Sequence, residues 1–443
     1  MKAAKSAYEL RRSQVGTPPE VISLFWRLVR RFRPTLGRVL DLGAGDGRFA
    51  SGGHYTKYDG VEIDPQACRG ISLPENARMH QTCAFRLKEN GYEACIGNPP
   101  FVRHHDIEDQ WRQRAAAQIH RDLGVHLNGE GNLYLYFICL AVMKTRPDGL
   151  VALVLPYEWV SRPSAHAIRE HIDDNGWSVS VFRFNLGIFQ DVLTTASISI
   201  IDKERRNRGW QYHDVLPSLT TKRRKGISGT RYTILPYSPR GSVWARRGIS
   251  PGGQKTFTLT DKERRQAGLS RGDLLPCVTT LRHLPHKVKE LNWRCFERHF
   301  VSAGKRCWLI KSAVPRPSKR VRRYLRWIPA RDRQTYACQR QKPWYRYEFA
   351  PVPRLLLLSG FIRRGPKVLI NAIGAQPVGS VYGVHTEKLR LPVRALRNFL
   401  ADFNFERRIV AHAGTLRKVE VAQVNSVLAT WSRAHANGRT ATR

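Results

Sequence analysis

The first half of the chain alternates short apolar runs with longer stretches whose apolar residues recur at helical spacing. The apolar runs have the length and composition of buried strands, and they lie at 38–42, 58–64, 92–97, 150–156, 179–184 and 196–201. The helical stretches begin near residues 17, 132 and 163. Because strands and helices alternate, this half is predicted to be an α/β domain with a doubly wound sheet.

The pattern changes after residue 205, where the apolar runs shorten and lose their regular spacing. Basic segments at 203–208 and 222–225 flank the predicted boundary. Beyond it, short strands mix with a stretch at 394–432 whose apolar residues favour helix. We therefore predict two domains, residues 1–205 and a mixed α+β domain over residues 206–443.

The predicted first helix begins at Thr17-Pro18-Pro19-Glu20. Thr17 is a good N-cap residue, Pro18 suits the first turn, and Glu20 is favourable at the positive end of the helix dipole. An apolar stripe then runs from Val21 to Phe32. This pattern predicts a capped amphipathic helix.

Two acidic residues frame a glycine-rich turn after the first strand. Asp41 precedes Gly43-Ala44-Gly45-Asp46-Gly47, and Glu62, 21 residues later, lies near the end of the second predicted strand, 58–64. Glycines between a strand and a helix let the backbone approach a bound nucleoside, and an acid at this separation suits ribose hydroxyls. A dinucleotide site is the competing interpretation, but the order of glycines differs from G-x-G-x-x-G, and Asp41 leads the turn.

The third candidate feature is Asn98-Pro99-Pro100-Phe101, which follows an apolar strand. Two prolines fix φ and supply no N–H, so the Asn98 side-chain oxygen and a nearby carbonyl can both accept hydrogen bonds from one amino group. Phe101 offers a ring on which a planar base could stack. The structural alternative is a proline turn that closes a strand.

The carboxyl ends of parallel strands meet at one edge of an open sheet, where ligands bind. Asp41, Glu62 and Asn98 all lie at such ends, so we expect them to face one crevice. The polar stretch 104–131, which includes His104, is predicted to be either a solvated helix or a substrate-contacting insert.

Charge is distributed unevenly along the chain, which has a formal net charge of +40. Residues 1–204 carry 25 Lys and Arg against 23 Asp and Glu, whereas residues 205–443 carry the remaining 50 against 12. An excess of 38 positive charges, with interleaved arginine and aromatic residues, indicates a nucleic-acid partner. Solvated faces and a basic anchor on anionic membrane are the alternatives.

Other bulk properties narrow the class of protein. No run of 18 apolar residues is present, and the N-terminus lacks the pattern of a signal peptide, so no membrane association through a span is expected. Eight cysteines occur without a CxxC pair, which predicts no metal site and reduced thiols in the cytoplasm.

Together these motifs resemble the class I S-adenosylmethionine-dependent DNA adenine-N6 methyltransferases, in particular the Taq I and Eco57I-like enzymes of restriction–modification systems. The resemblance implies a Rossmann-like S-adenosyl-L-methionine (SAM) methyltransferase sheet followed by a target-recognition domain. It covers nearly the whole chain. The segments that carry it are Thr17-Pro18-Pro19, Asp41 to Gly45, Glu62, Asn98 to Phe101, Asn132-Leu133-Tyr134 and Leu150 to Pro156.

The resemblance also implies roles for individual residues. Catalysis falls to Asn98, Pro99, Pro100 and Phe101, and cofactor binding to Thr17, Pro18, Asp41, Gly43, Gly45 and Glu62. Substrate binding falls to Phe189, His104, Arg247 and Trp344. One departure is Cys83, which stands near the place where the family has an acid that binds the cofactor's adenine amine.

The function expected from the resemblance is methylation of N6 of a flipped adenine in duplex DNA by a monomeric bacterial or archaeal enzyme. A restriction endonuclease, if present, is expected on another chain. The alternatives are methylation of RNA adenine or protein glutamine, and a catalytically inactive DNA-binding protein. The basic second half argues against protein glutamine.

Overall fold

A computed structural model describes residues 16–69, 72–127, 129, 131–184, 196–206, 209–223, 235, 237–386, 392–409, 411–413 and 416–436. The chain divides into two compact units. The first contains residues 1–233 and 411–415, and the second contains residues 234–410 and 416–443. We describe each unit by itself.

The first unit is built on a nine-stranded sheet. Its strands are β1 (Leu36–Leu42), β2 (Tyr55–Glu62), β3 (Ala77–Gln81), β4 (Tyr92–Gly97), β5 (Thr145–Pro156), β6 (Trp177–Phe184), β7 (Ala196–Arg206), β8 (Trp210–Val215) and β9 (Thr221–Arg223). Their order across the sheet is β3-β2-β1-β4-β5-β7-β6-β8-β9. Strands β1 to β5 are parallel, and β7 enters antiparallel between β5 and β6.

Helices cover both faces of this sheet. Side chains that point to either face of the central strands are therefore buried. The helices are α1 (Pro19–Val29), α2 (Asp109–Leu123), α3 (Leu133–Lys144) and α4 (His166–Asp174). Helix α1 packs on the face that carries Val39 and Ile96, and α3 contacts β4 and β5. The predicted doubly wound α/β sheet is confirmed.

Two local predictions in this unit are wrong. Thr17 does not cap α1, because the cap position is Pro18 and no side chain bonds the first turn. The glycine-rich turn leads into a short 3₁₀ turn at Arg48–Ala50 instead of a regular helix. The Thr17 hydroxyl has a different partner, which is described below.

The second unit contains smaller mixed sheets. Its main sheet has the order β10-β19-β15-β17-β13, and a second has the order β11-β14-β12-β18. The strands are β10 (Val243–Arg247), β11 (Thr258–Leu259), β12 (Leu274–Val278), β13 (Glu290–Leu291), β14 (Trp308–Ile310), β15 (Leu355–Leu358), β16 (Gly360–Phe361), β17 (Val368–Asn371), β18 (Gln376–Pro377), β19 (Val381–Thr386) and β21 (Leu416–Lys418), whereas β20 (Ala411–Ala413) belongs to the first unit. Strand β16 pairs antiparallel with β21.

Short helices pack around these sheets, which gives the mixed α+β architecture expected from the sequence. They are α5 (Gln254–Phe257), α6 (Asp261–Gln266), α7 (Trp293–Phe296), α8 (Lys319–Trp327), α9 (Tyr336–Arg340), α10 (Val393–Asp402) and α11 (Val421–Ala436). The stretch predicted to be helical at 394–432 is therefore only partly so, since β21 interrupts it. Two apolar cores, one centred on Phe257 and Leu309 and the other on Leu355 and Leu428, stabilise the unit.

Candidate active site

Asp41, Glu62 and Asn98 lie at the carboxyl ends of neighbouring parallel strands. Asp41 is the penultimate residue of β1, Glu62 ends β2, and Asn98 follows β4 directly. In the sheet register, Asp41 lies beside Gly60 on one side and Ile96 on the other. The structure therefore brings these three side chains to one edge of the sheet, as the spacing of the motifs predicts.

The Asp41 carboxyl group is fully buried. The Tyr58 hydroxyl donates a hydrogen bond of 2.5 Å to Oδ2, whereas Oδ1 has no hydrogen-bond partner among the described residues. Burial raises the pKa of Asp41 to about 7, and the nearby Glu62 and Asp46 charges act in the same direction, against the bond from Tyr58. Asp41 is thus a buried carboxyl group whose protonation changes near neutral pH.

Gly97 lets Asp41 pack directly against the strand end that precedes Asn98. Its φ of +131° is a conformation that residues with a side chain rarely adopt. A Cβ atom at this position would also collide with Oδ1 of Asp41. Glycine is therefore required at this position, because the strand end and the acid occupy adjoining space.

The Asn98 side chain is oriented by a hydrogen bond to the N-terminal segment. Its Nδ2 donates to Thr17 Oγ1 at 3.1 Å, and the Thr17 side chain is buried. Arg48 Nη1 donates to the Thr17 carbonyl oxygen at 2.8 Å, which fixes the position of the threonine. This bond turns the amide nitrogen of Asn98 toward Thr17, and the carbonyl oxygen is the atom of this side chain that can accept a bond from an amine.

The loop after Asn98 is tied to the start of α3. Leu133 N donates to Val102 O at 2.9 Å, and His104 N donates to Asn132 Oδ1 at 3.1 Å. Asn132 occupies the N-cap position of α3 but makes no capping bond to that helix. Its side chain stabilises the catalytic loop instead, which sequence reasoning did not predict.

Phe101, at the end of the motif, is half-buried. Its ring meets the Tyr134 ring edge-on, with 6.2 Å between the ring centres. This contact holds the Phe101 ring from one side. A ring held in this way can serve as a platform for a planar group.

The glycine turn and Glu62 form a second part of the site. Gly43 and Gly45 have φ values of +75° and +58°, and no described atom lies within 4 Å of a Cβ built on Gly45. Glu62 Oε2 accepts from Gly45 N at 2.9 Å, and its Oε1 accepts from Ile63 N and Asp64 N. Three main-chain donors therefore hold the carboxylate beside an open turn, which fits a nucleoside ligand.

Ile63, which sequence reasoning missed, is 66% exposed directly after this acid. An exposed aliphatic residue beside an acid that is predicted to bind ribose is a suitable surface for a flat base, and its position next to Glu62 could have revealed it. The loop after β3 fits less well, because residues 77–88 contain no carboxylate and only the half-buried Cys83 stands there. The carboxylate acceptor expected for an adenine amine is therefore absent from residues 77–88, and the next acid along the chain is Glu89.

The predicted substrate-binding residues lie in different surroundings. Arg247 is exposed at the end of β10, and Trp344 is half-buried, edge-on to Phe257 with Arg333 over its face. The His104 main chain bonds to Asn132 as described above. Phe189 lies outside the described residues.

Two kinds of feature are absent from the part of the chain that the structure describes. No three His, Cys, Asp or Glu side chains there are grouped so that they could hold a metal ion. No helix within the same residues is both long and apolar enough to cross a membrane.

Two family models match the chain. The Eco57I restriction-modification methylase model matches residues 59–189, and the model of the Type II methyltransferase M.Eco57I C-terminal domain matches residues 242–403. The first match includes the Asn98 motif, and the second lies within the basic half.

Curated relatives and a solved structure agree with these matches. M.XamI of Xanthomonas campestris pv. amaranthicola is 24% identical, over 85% of this chain and 76% of its own length. M.AccI of Acinetobacter calcoaceticus is 22% identical, over 64% of this chain and 57% of its own. Both are Type II methyltransferases. The fold resembles the Type IIL restriction-modification enzyme MmeI, with a TM-score of 0.58 and 12% identity over 94% of this chain and 64% of that one.

Proposed function

Because the chain belongs to the Eco57I-like restriction–modification methyltransferases, we propose that it methylates N6 of adenine in duplex DNA. The observation that carries this proposal is the Asn98 amide, which Thr17 holds at the carboxyl end of β4 beside Asp41. We further propose that it acts as a monomer in the cytoplasm, with a restriction endonuclease on a separate chain.

The cofactor that this family implies is S-adenosyl-L-methionine, which supplies an electrophilic methyl group when bound. The turn at Gly45 is open enough for the cofactor to approach its main chain, and the fixed carboxylate of Glu62 suits ribose hydroxyls. The exposed Ile63 suits the face of its adenine. Asp41 and Gly43 would line the same side of the site, and residues 77–88 contain no carboxylate that could accept from the amine of that adenine.

The catalytic residues act by positioning an amine. The lone pair of an adenine N6 is delocalised into its ring, so the nitrogen is a weak nucleophile. Asn98 Oδ1 and the Pro99 carbonyl would each accept one N–H bond, which draws the nitrogen toward tetrahedral geometry and localises the lone pair. Phe101 would stack on the flipped base, and the proton lost after methyl transfer would leave to solvent.

Charge supports duplex DNA as the substrate class. A polyanion is the natural partner of a region with 38 excess positive charges, and most of those charges are arginines, which suit phosphates and base edges. Arg247, exposed at a strand end, is a candidate contact to DNA. Trp344 and His104 stay candidates of the same kind.

The direct test is transfer of a labelled methyl group from S-adenosyl-L-methionine to duplex DNA, RNA and protein, followed by nucleoside analysis. We expect N6-methyladenine in duplex DNA only. Asn98→Ala should lower kcat at least about 100-fold, because an acceptor aimed at the reacting amine is lost. Asn175→Ala, on the surface of the same unit, is the matched control and should keep wild-type activity.

Each other outcome has a clear meaning. Label in cytosine would overturn the choice of base, and label in RNA or protein would overturn the substrate class. Equal incorporation by wild type and Asn98→Ala would exclude the proposed role of the motif. Failure of the wild-type protein to bind the cofactor would indicate an inactive homologue.

A further inference from the structure

A tight turn in the second unit presents an apolar residue and two arginines to solvent. It joins β16 to β17 and includes Ile362, Arg363, Arg364 and Gly365. Ile362 is 56% exposed, and both arginine side chains are exposed. Neither arginine pairs with a carboxylate of the described residues. The tip of the turn therefore presents one apolar side chain and two positive charges side by side.

The backbone of this turn is strained at Arg364. Its φ is +58°, a left-handed conformation that glycine adopts easily and that is unfavourable for a residue with a side chain. Glycine follows immediately at position 365, yet the strained position carries arginine.

Neighbouring side chains hold the turn in place. Arg364 N donates to Glu406 Oε2 and Glu406 N donates to Arg364 O, both at 2.9 Å. Arg417 Nη1 donates to Ile362 O at 3.0 Å, and it also lies 3.5 Å from the Glu406 carboxylate. These bonds satisfy the main chain of the turn and leave its side chains directed outward. The turn is therefore rigid at its base and open at its tip.

We propose that this braced turn contacts duplex DNA, with Arg363 and Arg364 on phosphate or groove edges and Ile362 against the bases. The inference rests on the proposed function, because it takes duplex DNA as the partner. An apolar side chain flanked by arginines suits a narrow groove, where it can press between base steps while the cations meet the backbone. Preorganisation by Glu406 and Arg417 would reduce the entropy lost on binding.

The test measures binding of a labelled duplex by fluorescence anisotropy between 50 and 300 mM KCl. We expect Arg363→Ala to weaken binding about three- to tenfold and to lower the slope of log K against log salt by about 1. Ile362→Ser should weaken binding with the wild-type slope, since no charge is lost. Arg265→Ala is the matched control, because Arg265 is exposed but paired with Asp261.

Arg364→Gly separates a DNA contact from a structural role. It relieves the left-handed strain, so its thermal midpoint should equal or exceed that of the wild type while its DNA affinity falls. Unchanged affinity and slope in both arginine variants would overturn the inference. It would also be overturned if DNA affinity fell only in variants whose thermal midpoint fell as well. Wild-type methylation of DNA, assayed in parallel, shows whether the proposed function itself holds.

Discussion

The two units of the chain use charge in opposite ways. Residues 1–233 carry 33 Lys and Arg against 24 Asp and Glu, and residues 234–443 carry 42 against 11. In the first unit, buried acids have assigned partners, as Asp202 has Arg33 and Asp41 has Tyr58. In the second, exposed arginines on α8 and in the 362–365 turn project into solvent.

This difference matches two physical tasks. Methyl transfer requires a few groups that are oriented by fixed hydrogen bonds in a site of low dielectric constant. Binding of a polyanion requires many exposed cations, and the precise place of each one matters less. The first unit should therefore be sensitive to single polar atoms, and the second to the sum of its charges.

The largest expected effect concerns Asp41 and the pH dependence of stability. Its folded-state pKa is about 7, against 3.8 for an ordinary Asp. Between these values the folded protein keeps a proton that the unfolded chain releases, so this group makes the free energy of unfolding fall as pH rises. At about 1.4 kcal/mol per pH unit, the loss from pH 4 to 7 is on the order of 4 kcal/mol.

Asp41→Asn should remove this pH-dependent fall in the free energy of unfolding, because the amide does not titrate. Urea unfolding of both proteins from pH 4 to 8 gives the difference, in which the other titrating groups cancel. Tyr58→Phe should extend the fall to higher pH, since the hydroxyl lowers the pKa of Asp41. Parallel curves for wild type and Asp41→Asn would contradict the buried-acid account.

The second prediction tests the summed charge of the second unit. On α8, Val321 and Leu325 are buried, and Arg322 and Arg326 point outward without a carboxylate partner among the described residues. Arg322→Glu with Arg326→Glu changes the charge by four, so duplex affinity at 100 mM salt should fall about 100-fold. The thermal midpoint should hardly change, because the buried side of the helix is intact.

The matched control places the same two reversals on the first unit. Arg114 and Arg121 are exposed on α2. Their replacement by Glu should weaken duplex binding less than threefold, measured in the same anisotropy titration. Equal losses from both helices would show that the whole chain, and not its second unit, provides the basic surface.

Sequence patterns identified the strands and the acids at their ends, because those features depend on local composition. Continuous apolar runs such as Leu150–Pro156 became β5, and the Asp41 to Glu62 spacing placed both acids at one edge. The role of Asn132 could not be predicted, since an Asn before a helix favours capping and its actual partner lies 28 residues away. The left-handed Arg364 had no local signature, because arginine does not favour that conformation.

The smallest expected effect concerns one hydroxyl group. Thr17 was predicted from the sequence to cap a helix and to bind the cofactor, whereas the structure shows its Oγ1 accepting a bond from Asn98 Nδ2. In Thr17→Val the shape is retained and that acceptor is lost. The Asn98 amide then loses the bond to Thr17, which costs about 0.5–1.5 kcal/mol and favours rotation of the amide away from its productive orientation.

We therefore expect Thr17→Val to lower kcat about tenfold and to leave the KM for S-adenosyl-L-methionine near the wild-type value. Thr17→Ser keeps the hydroxyl and should restore most of kcat, although it loses a methyl group from the same buried position. Steady-state kinetics with the cofactor and DNA varied separately provides the measurement. A raised KM for the cofactor with unchanged kcat would instead assign Thr17 to cofactor binding. In that case the substrate amine would react at its usual rate without the bond between Thr17 and the Asn98 amide. The Thr17 variants thus test whether the orientation of the Asn98 amide depends on its bond to Thr17 Oγ1. Such dependence is expected if the first unit is sensitive to single polar atoms.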